Sequence, residues 1–187
     1  LWLFERKTGA ERRLAPNVGL RDGPRWSPDS KKLVYILGGE TTRVAFRGLS
    51  EGEGDSEVPS PNANAFPSDW SNDGRYVLVT NTGFPRFANE TQSDVWVLDL
   101  AKERRITKLL DTPYHETNAA FSPDGRWLTF VSNESGKPQV YIQAFRGAEA
   151  PKLEGRRFAL TQHGAQALRW RADGREIFYL GLDGDVY

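Results

Sequence analysis

The sequence predicts an all-β protein, a β-propeller with about four blades of four-stranded antiparallel sheet, and three observations predict it. An aromatic residue, a tight turn and an apolar run recur together four times. They read Trp26-Ser27-Pro28-Asp29-Ser30 before KKLVYIL, Trp70-Ser71-Asn72-Asp73-Gly74 before RYVLVT, Phe121-Ser122-Pro123-Asp124-Gly125 before RWLTFV, and Trp170-Arg171-Ala172-Asp173-Gly174 before REIFYL. The aromatics are spaced 44, 51 and 49 residues apart, the length of three or four short strands with their turns. No stretch has a capped helical period, whereas LVYIL, YVLV and IFYL are apolar on both faces, as in a sheet buried between two neighbours.

In order along the chain, residues 1–18 supply two strands around Thr8-Gly9, the outer half of a blade. A unit of about 19–62 follows, with strands near 24–26, 32–37 and 43–48 and a weak fourth near Glu57, after the acidic, glycine-rich loop SEGEGDSE. The unit of about 63–114 has SDVWVLDL as its third strand. The unit of about 115–164 carries its hairpin at 121–131 and a third strand near 139–145, and 165–187 opens one more blade. In the hairpin turn, Pro123 presets φ, Asp124 bonds nearby backbone, and Gly125 takes the positive φ. Each aromatic is expected to wedge between adjacent sheets, where burial contributes roughly 1.5–3 kcal/mol.

Composition narrows the function. The 187 residues carry 25 basic and 25 acidic side chains, so no electrostatic footprint for nucleic acid or an anionic membrane is visible. There is no cysteine, which removes disulfides, thiolate metal sites and a cysteine nucleophile. Apolar runs are far too short to span a bilayer. The absence of methionine, and ends that fall within strand-like stretches, lead to the expectation of an internal piece of a longer protein that packs with further blades.

These motifs resemble the TolB-type, WD40-like (PD40) propeller repeat. FPSDWSNDGRYVL, SDVWVLDL, FSPDGRWLTFVSNESGKPQVYIQAF and LRWRADGREIFYLGLDG are, in this order, most similar to the propeller attached to bacterial serine/threonine protein kinases. The resemblance implies a sensory or interaction module, an extracytoplasmic setting, and no catalytic residues to carry over. Departures are local: Ser30 replaces a turn glycine, Asn72 a proline, and Arg171-Ala172 a Ser-Pro pair.

Gly48-Leu49-Ser50-Glu51-Gly52 matches G-x-S-x-G, but a nucleophile elbow needs a strand leading into a helix; here the flank is an acidic loop. His115 and His163 occupy equivalent places, six and seven residues before the repeat aromatic. With Arg86, Tyr114 and Glu116 they are the candidate ligand-binding set, on the face opposite the tight turns. Their bland reading is polar loop residues bonded to backbone. Two histidines fall short of a zinc ligand set, so no metal and no cofactor is expected. The function predicted is a non-enzymatic binding or sensing module for a protein or small ligand. The alternatives are the gating propeller of a prolyl-oligopeptidase-like serine peptidase and a periplasmic TolB-like adaptor.

Overall fold

The computed structural model describes residues 1–14, 21–38, 43–50, 52–58, 65–81 and 93–187. Strands β1 (Trp2–Phe4) and β2 (Glu11–Arg13) form a pair. Sheet A holds β3 (Arg21–Trp26), β4 (Lys32–Leu37), β5 (Arg43–Gly48) and β6 (Asp55–Glu57). Sheet B holds β7 (Ala65–Trp70), β8 (Tyr76–Asn81), β9 (Asp94–Asp99) and β10 (Arg105–Lys108). Sheet C holds β11 (Glu116–Phe121), β12 (Trp127–Ser132), β13 (Gln139–Arg146) and β14 (Lys152–Ala159). A pair of β15 (Ala165–Trp170) and β16 (Ile177–Gly181) follows. All pairings are antiparallel between sequence neighbours, and no helix occurs among the described residues.

The repeated turn closes by a hydroxyl-carboxylate relay. Ser122 Oγ donates to Asp124 Oδ1 at 2.5 Å, the same oxygen accepts from Arg126 N at 3.0 Å, and Trp127 N donates to Ser122 Oγ at 3.0 Å. Ser71-Asp73 and Ser27-Asp29 repeat the pattern, each with a 2.6 Å hydroxyl-carboxylate bond. Gly74, Gly125 and Gly174 have φ of 74°, 69° and 73°, the left-handed conformation that glycine adopts without cost. Ser30 holds the same place at 58°. In the last turn Arg171 has no hydroxyl to offer and instead pairs with Glu176 at 2.7 Å and Asp173 at 3.2 Å.

Strand alternation sends successive residues to opposite sheet faces, and both faces are apolar, so the core is divided into layers between sheets. Leu33, Tyr35 and Ala45 face the β1-β2 pair with Leu14. Val34, Val44 and Phe46 meet Trp70, Val77 and Val79 between sheets A and B. Tyr76, Leu78 and Val97 meet Phe121, Leu128 and Phe130 between B and C. Val131 and Val140 meet Leu168 and Trp170 beyond C.

Trp70 and Phe121 are the expected wedges: Trp70 meets Phe46 of sheet A edge-on at 5.3 Å, and Phe121 meets Tyr76 of sheet B at 6.4 Å. Trp170 is partly buried and donates from Nε1 to Thr129 Oγ1 at 2.9 Å. Trp26 differs and stays 49% exposed, because the first layer is filled by Leu1, Leu3 and Leu14 against Leu33 and Tyr35.

Candidate functional site

The first strand of each unit carries a register shift: between Asp22 and Arg25, Pro67 and Asp69, Thr117 and Ala120, and Ala165 and Ala167. Such a bulge re-aims the side chains that follow it. Gly23 and Asn118 sit in these shifts with φ of 60° and 51°. Past the shift, Trp70 and Phe121 pack toward the preceding sheet, and the residue before the aromatic lies on the opposite face of the strand. Those preceding residues are Arg25, Asp69, Ala120 and Arg169, and all four line one pocket of about 420 Å³.

The pocket opens at the turn end, with Asn72, Pro123 and Ala172 on its rim and Trp70, Phe121 and Trp170 in its wall. Arg25 donates from Nε to Ser68 O at 3.0 Å, tying sheet A to sheet B. Asp69 Oδ2 accepts from Phe121 N at 2.8 Å, tying B to C. Burial pushes the Asp69 carboxyl above the usual aspartate value, against the lowering effect of the Phe121 and Trp70 amides and of Arg169 and Arg25. Arg169 is exposed and donates from Nη1 to Leu168 O at 3.0 Å. A second hollow of about 270 Å³ shares Arg25 and Ser68 with the first and continues along the first strands past Ile36, Phe66 and Thr117. Two arginines, one carboxylate and a set of aromatic walls can hold a ligand of complementary charge.

The sequence-predicted candidates lie elsewhere. Tyr114 and His115 stand exposed between β10 and β11, and His163 stands exposed between β14 and β15. None of them lines the pockets just described. His115 is engaged by backbone, accepting at Nδ1 from Ser93 N at 3.4 Å, while its own amide donates to Asn133 Oδ1 at 2.9 Å. Arg86 lies outside the described residues.

Glu116 needs correction as a surface ligand: it is 0% exposed. Its Oε1 accepts from the Thr112 hydroxyl and from Ser132 Oγ at 3.4 Å, and Oε2 is buried without a partner. Burial, the largest influence, raises its pKa above the ordinary glutamate value. The G-x-S-x-G stretch lies between β5 and β6, and no helix follows it among the described residues. Among those residues no group of three or more His, Cys, Asp or Glu side chains is placed to hold a metal, and no helix is long and apolar enough to cross a membrane.

Sequence reasoning missed Arg25, Asp69 and Arg169, although a signal was present. Strand alternation puts the residue one position before the aromatic on the opposite face of the first strand, where Arg25 and Asp69 meet the next sheet.

Layered four-stranded antiparallel sheets whose first strands surround a common pocket define a β-propeller. The chain belongs to the PD40 family, the TolB beta propeller domain, whose family model matches residues 2–185. It is 26% identical over 179 residues to the uncharacterized peptidase YuxL of Bacillus subtilis, covering 76% of this chain and 27% of that protein. It is 29% identical over 139 residues to the Tol-Pal system protein TolB of Wolinella succinogenes, covering 71% of this chain and 31% of that protein. The chain thus spans under a third of the length of these relatives.

Among solved structures, TolB from Acinetobacter baumannii superposes with a TM-score of 0.72 at 18% identity, over 99% of this chain and 47% of that one. Putative TolB from Agrobacterium tumefaciens gives 0.57 at 18% identity, over 98% and 78%. The TolB-type propeller expected from the repeat is therefore present. Nothing in these similarities points to a protein kinase.

Proposed function

We propose that this propeller segment is a binding module that supplies no reacting group and seats a partner polypeptide at the turn-end mouth of the axial pocket. One observation carries the reading: the residue before the repeat aromatic, in all four units, lines the same pocket. That convergence brings two arginines and an aspartate to one pocket. Likeness to a Tol-Pal system protein supports an assembly role in an extracytoplasmic setting. Exposed Trp2 and Phe4 on β1 and Phe178 on β16 support packing against further blades.

A second reading has one observation in its favour, the likeness to a peptidase: the same pocket screens substrates for an attached hydrolase. A kinase-appended sensor rests on the motif resemblance alone.

The test is selection of a random synthetic peptide library on the full-length protein, repeated with Ala172→Trp. Ala172 is exposed on the rim, so the indole obstructs the mouth while leaving the layers intact. Loss of captured peptides in the variant is the expected result; capture indifferent to Ala172→Trp overturns the reading. A serine-hydrolase probe and labelled ATP, applied to the same protein, separate the peptidase and kinase contexts.

A further inference from the structure

The connector of residues 109–115, between β10 and β11, carries the chain from sheet B to sheet C. We propose that Glu116 is a latch on this connector, holding it closed while the carboxyl carries its proton and releasing it when the proton leaves. The latch is independent of the turn-end pocket: it sits on the opposite face, at a boundary with a complete four-stranded sheet on each side.

Glu116 is the first residue of β11, and its side chain is fully enclosed. Its amide donates to Ser93 O at 2.7 Å, pinning the end of the connector beside β9. Its Oε1 accepts from the Thr112 hydroxyl and from Ser132 Oγ of β12 at 3.4 Å. The Thr112 oxygen in turn accepts from Tyr114 N at 3.2 Å, so the bend of the connector is organised around one contact between side chains. Beyond it the connector is fastened by His115, whose amide donates to Asn133 Oδ1 at 2.9 Å and whose Nδ1 accepts from Ser93 N at 3.4 Å. At its start, Leu109 N and Leu110 N share Val95 O at 2.9 and 3.3 Å.

The second carboxyl oxygen makes this arrangement sensitive to a proton. Oε2 is buried and meets no donor among the described residues, a position where an ionised oxygen loses far more hydration than a neutral one. The nearby cations are already engaged: Lys108 of β10 pairs with Asp94 and Asp111, and Arg157 of β14 pairs with Glu134 of the β12-β13 loop. Asp94 of β9 brings a second negative group, with its own Oδ1 buried and unpartnered. Tyr114 and His115 complete the titratable groups of the connector. Burial and Asp94 favour the neutral acid and outweigh Thr112, Arg157 and Ser132. An ionised Glu116 regains water only when Thr112 and the connector move aside. Tyr114 and His115, exposed on this face, move with it, so the loop face responds to the acidity of its surroundings.

The closed connector has the raised carboxyl pKa and the open one the ordinary value of 4.5. Opening is thus linked to proton loss: between those two values the open fraction grows about tenfold per pH unit, then levels off. The experiment is hydrogen exchange on the full-length protein from about pH 4.5 to about pH 8, corrected for the pH dependence of intrinsic exchange. The amides of Ser93, Leu110, Tyr114 and His115 are expected to exchange faster than those of β12 and β13 at every pH. Their protection is expected to fall about tenfold per pH unit before levelling. Glu116→Gln keeps an oxygen for Thr112 and Ser132 but cannot ionise, so its connector protection stays level with pH. Thr112→Val removes the hydroxyl and brings low-pH protection down to the high-pH level of the unaltered protein.

Connector protection that does not change with pH overturns the latch, as does the same fall in Glu116→Gln. Protection equal to that of β12 and β13 throughout means that the connector opens only with the whole fold, and the inference then fails. Unchanged low-pH protection in Thr112→Val also overturns it. A thermal melt shows whether each variant is folded. If Glu116→Gln is not, the pH profile of the unaltered protein together with Thr112→Val decides the question.

Discussion

At the scale of single residues, two departures from the repeat have measurable costs. Ser30 occupies the left-handed turn position with φ of 58°, where a β-carbon crowds the following carbonyl at roughly 1–2 kcal/mol. Ser30→Gly relieves this, partly offset by the greater freedom of glycine in the unfolded chain. The expected gain is about 0.5–1 kcal/mol, read from the urea midpoint. Glu116 gives a pH signature. Its folded pKa is raised above the ordinary 4.5, chiefly by burial, with Asp94 acting in the same direction and Arg157, Thr112 and Ser132 opposing it. Its contribution to stability is therefore intact below pH 4.5 and is lost as pH rises through the raised value. Glu116→Gln is expected to raise the melting temperature at pH 7 and to flatten its fall between pH 4.5 and 7; an unchanged slope counts against it. The sequence placed Glu116 with the loop-face residues before an inner strand. It could not show the burial, because the alternation that hides this carboxyl depends on where the strand starts, and β11 begins at Glu116 itself.

Elements were more legible than side-chain positions. The limits of β4 and β5 follow directly from KLVYIL and RVAFRG, since a short apolar run bounded by polar and turn residues defines a strand at both ends. Bulges were not legible: Ser68 and Gln166 are ordinary strand residues, and Asn118 is the one non-glycine in these shifts whose positive φ marks the place. Without the bulges, the direction of Arg25, Asp69 and Arg169 could be argued only by alternation from the aromatic. Neighbouring elements are also held by contacts that no repeat pattern predicts. The Tyr76 hydroxyl donates to Gly147 O, and Arg75 grips the buried Asp99 through two bonds of 3.1 and 2.9 Å while reaching Ala148 O at 3.1 Å. A β-carbon at Gly147 would come within 2.7 Å of the Tyr76 ring. Gly147→Ala is thus expected to force β8 and the end of β13 apart and to destabilise by about 1–3 kcal/mol. A thermal melt showing no loss would indicate that the ring can yield.

Over the whole molecule, stability resides in layers that touch only through the sheets they share, so energetic coupling is expected between nearest neighbours. Phe46 belongs to the layer between sheets A and B, and Leu168 to the layer beyond C. Phe46→Ala is expected to cost about 3–5 kcal/mol and Leu168→Ala about 2–5. The double variant should equal their sum within about 0.5 kcal/mol. Phe46→Ala with Trp70→Ala should depart from additivity, because those rings are in contact at 5.3 Å. Denaturant titrations of the six proteins decide the matter. In the first strands of sheets A, B and C the residue before the aromatic reaches toward the next sheet: Arg25 donates to Ser68 O, Asp69 accepts from the Phe121 amide, and Ala120 packs with Val131 and Leu168. Each boundary between these sheets thus carries its own clasp, and changing one such residue alters how two neighbours are joined while the other boundaries keep theirs.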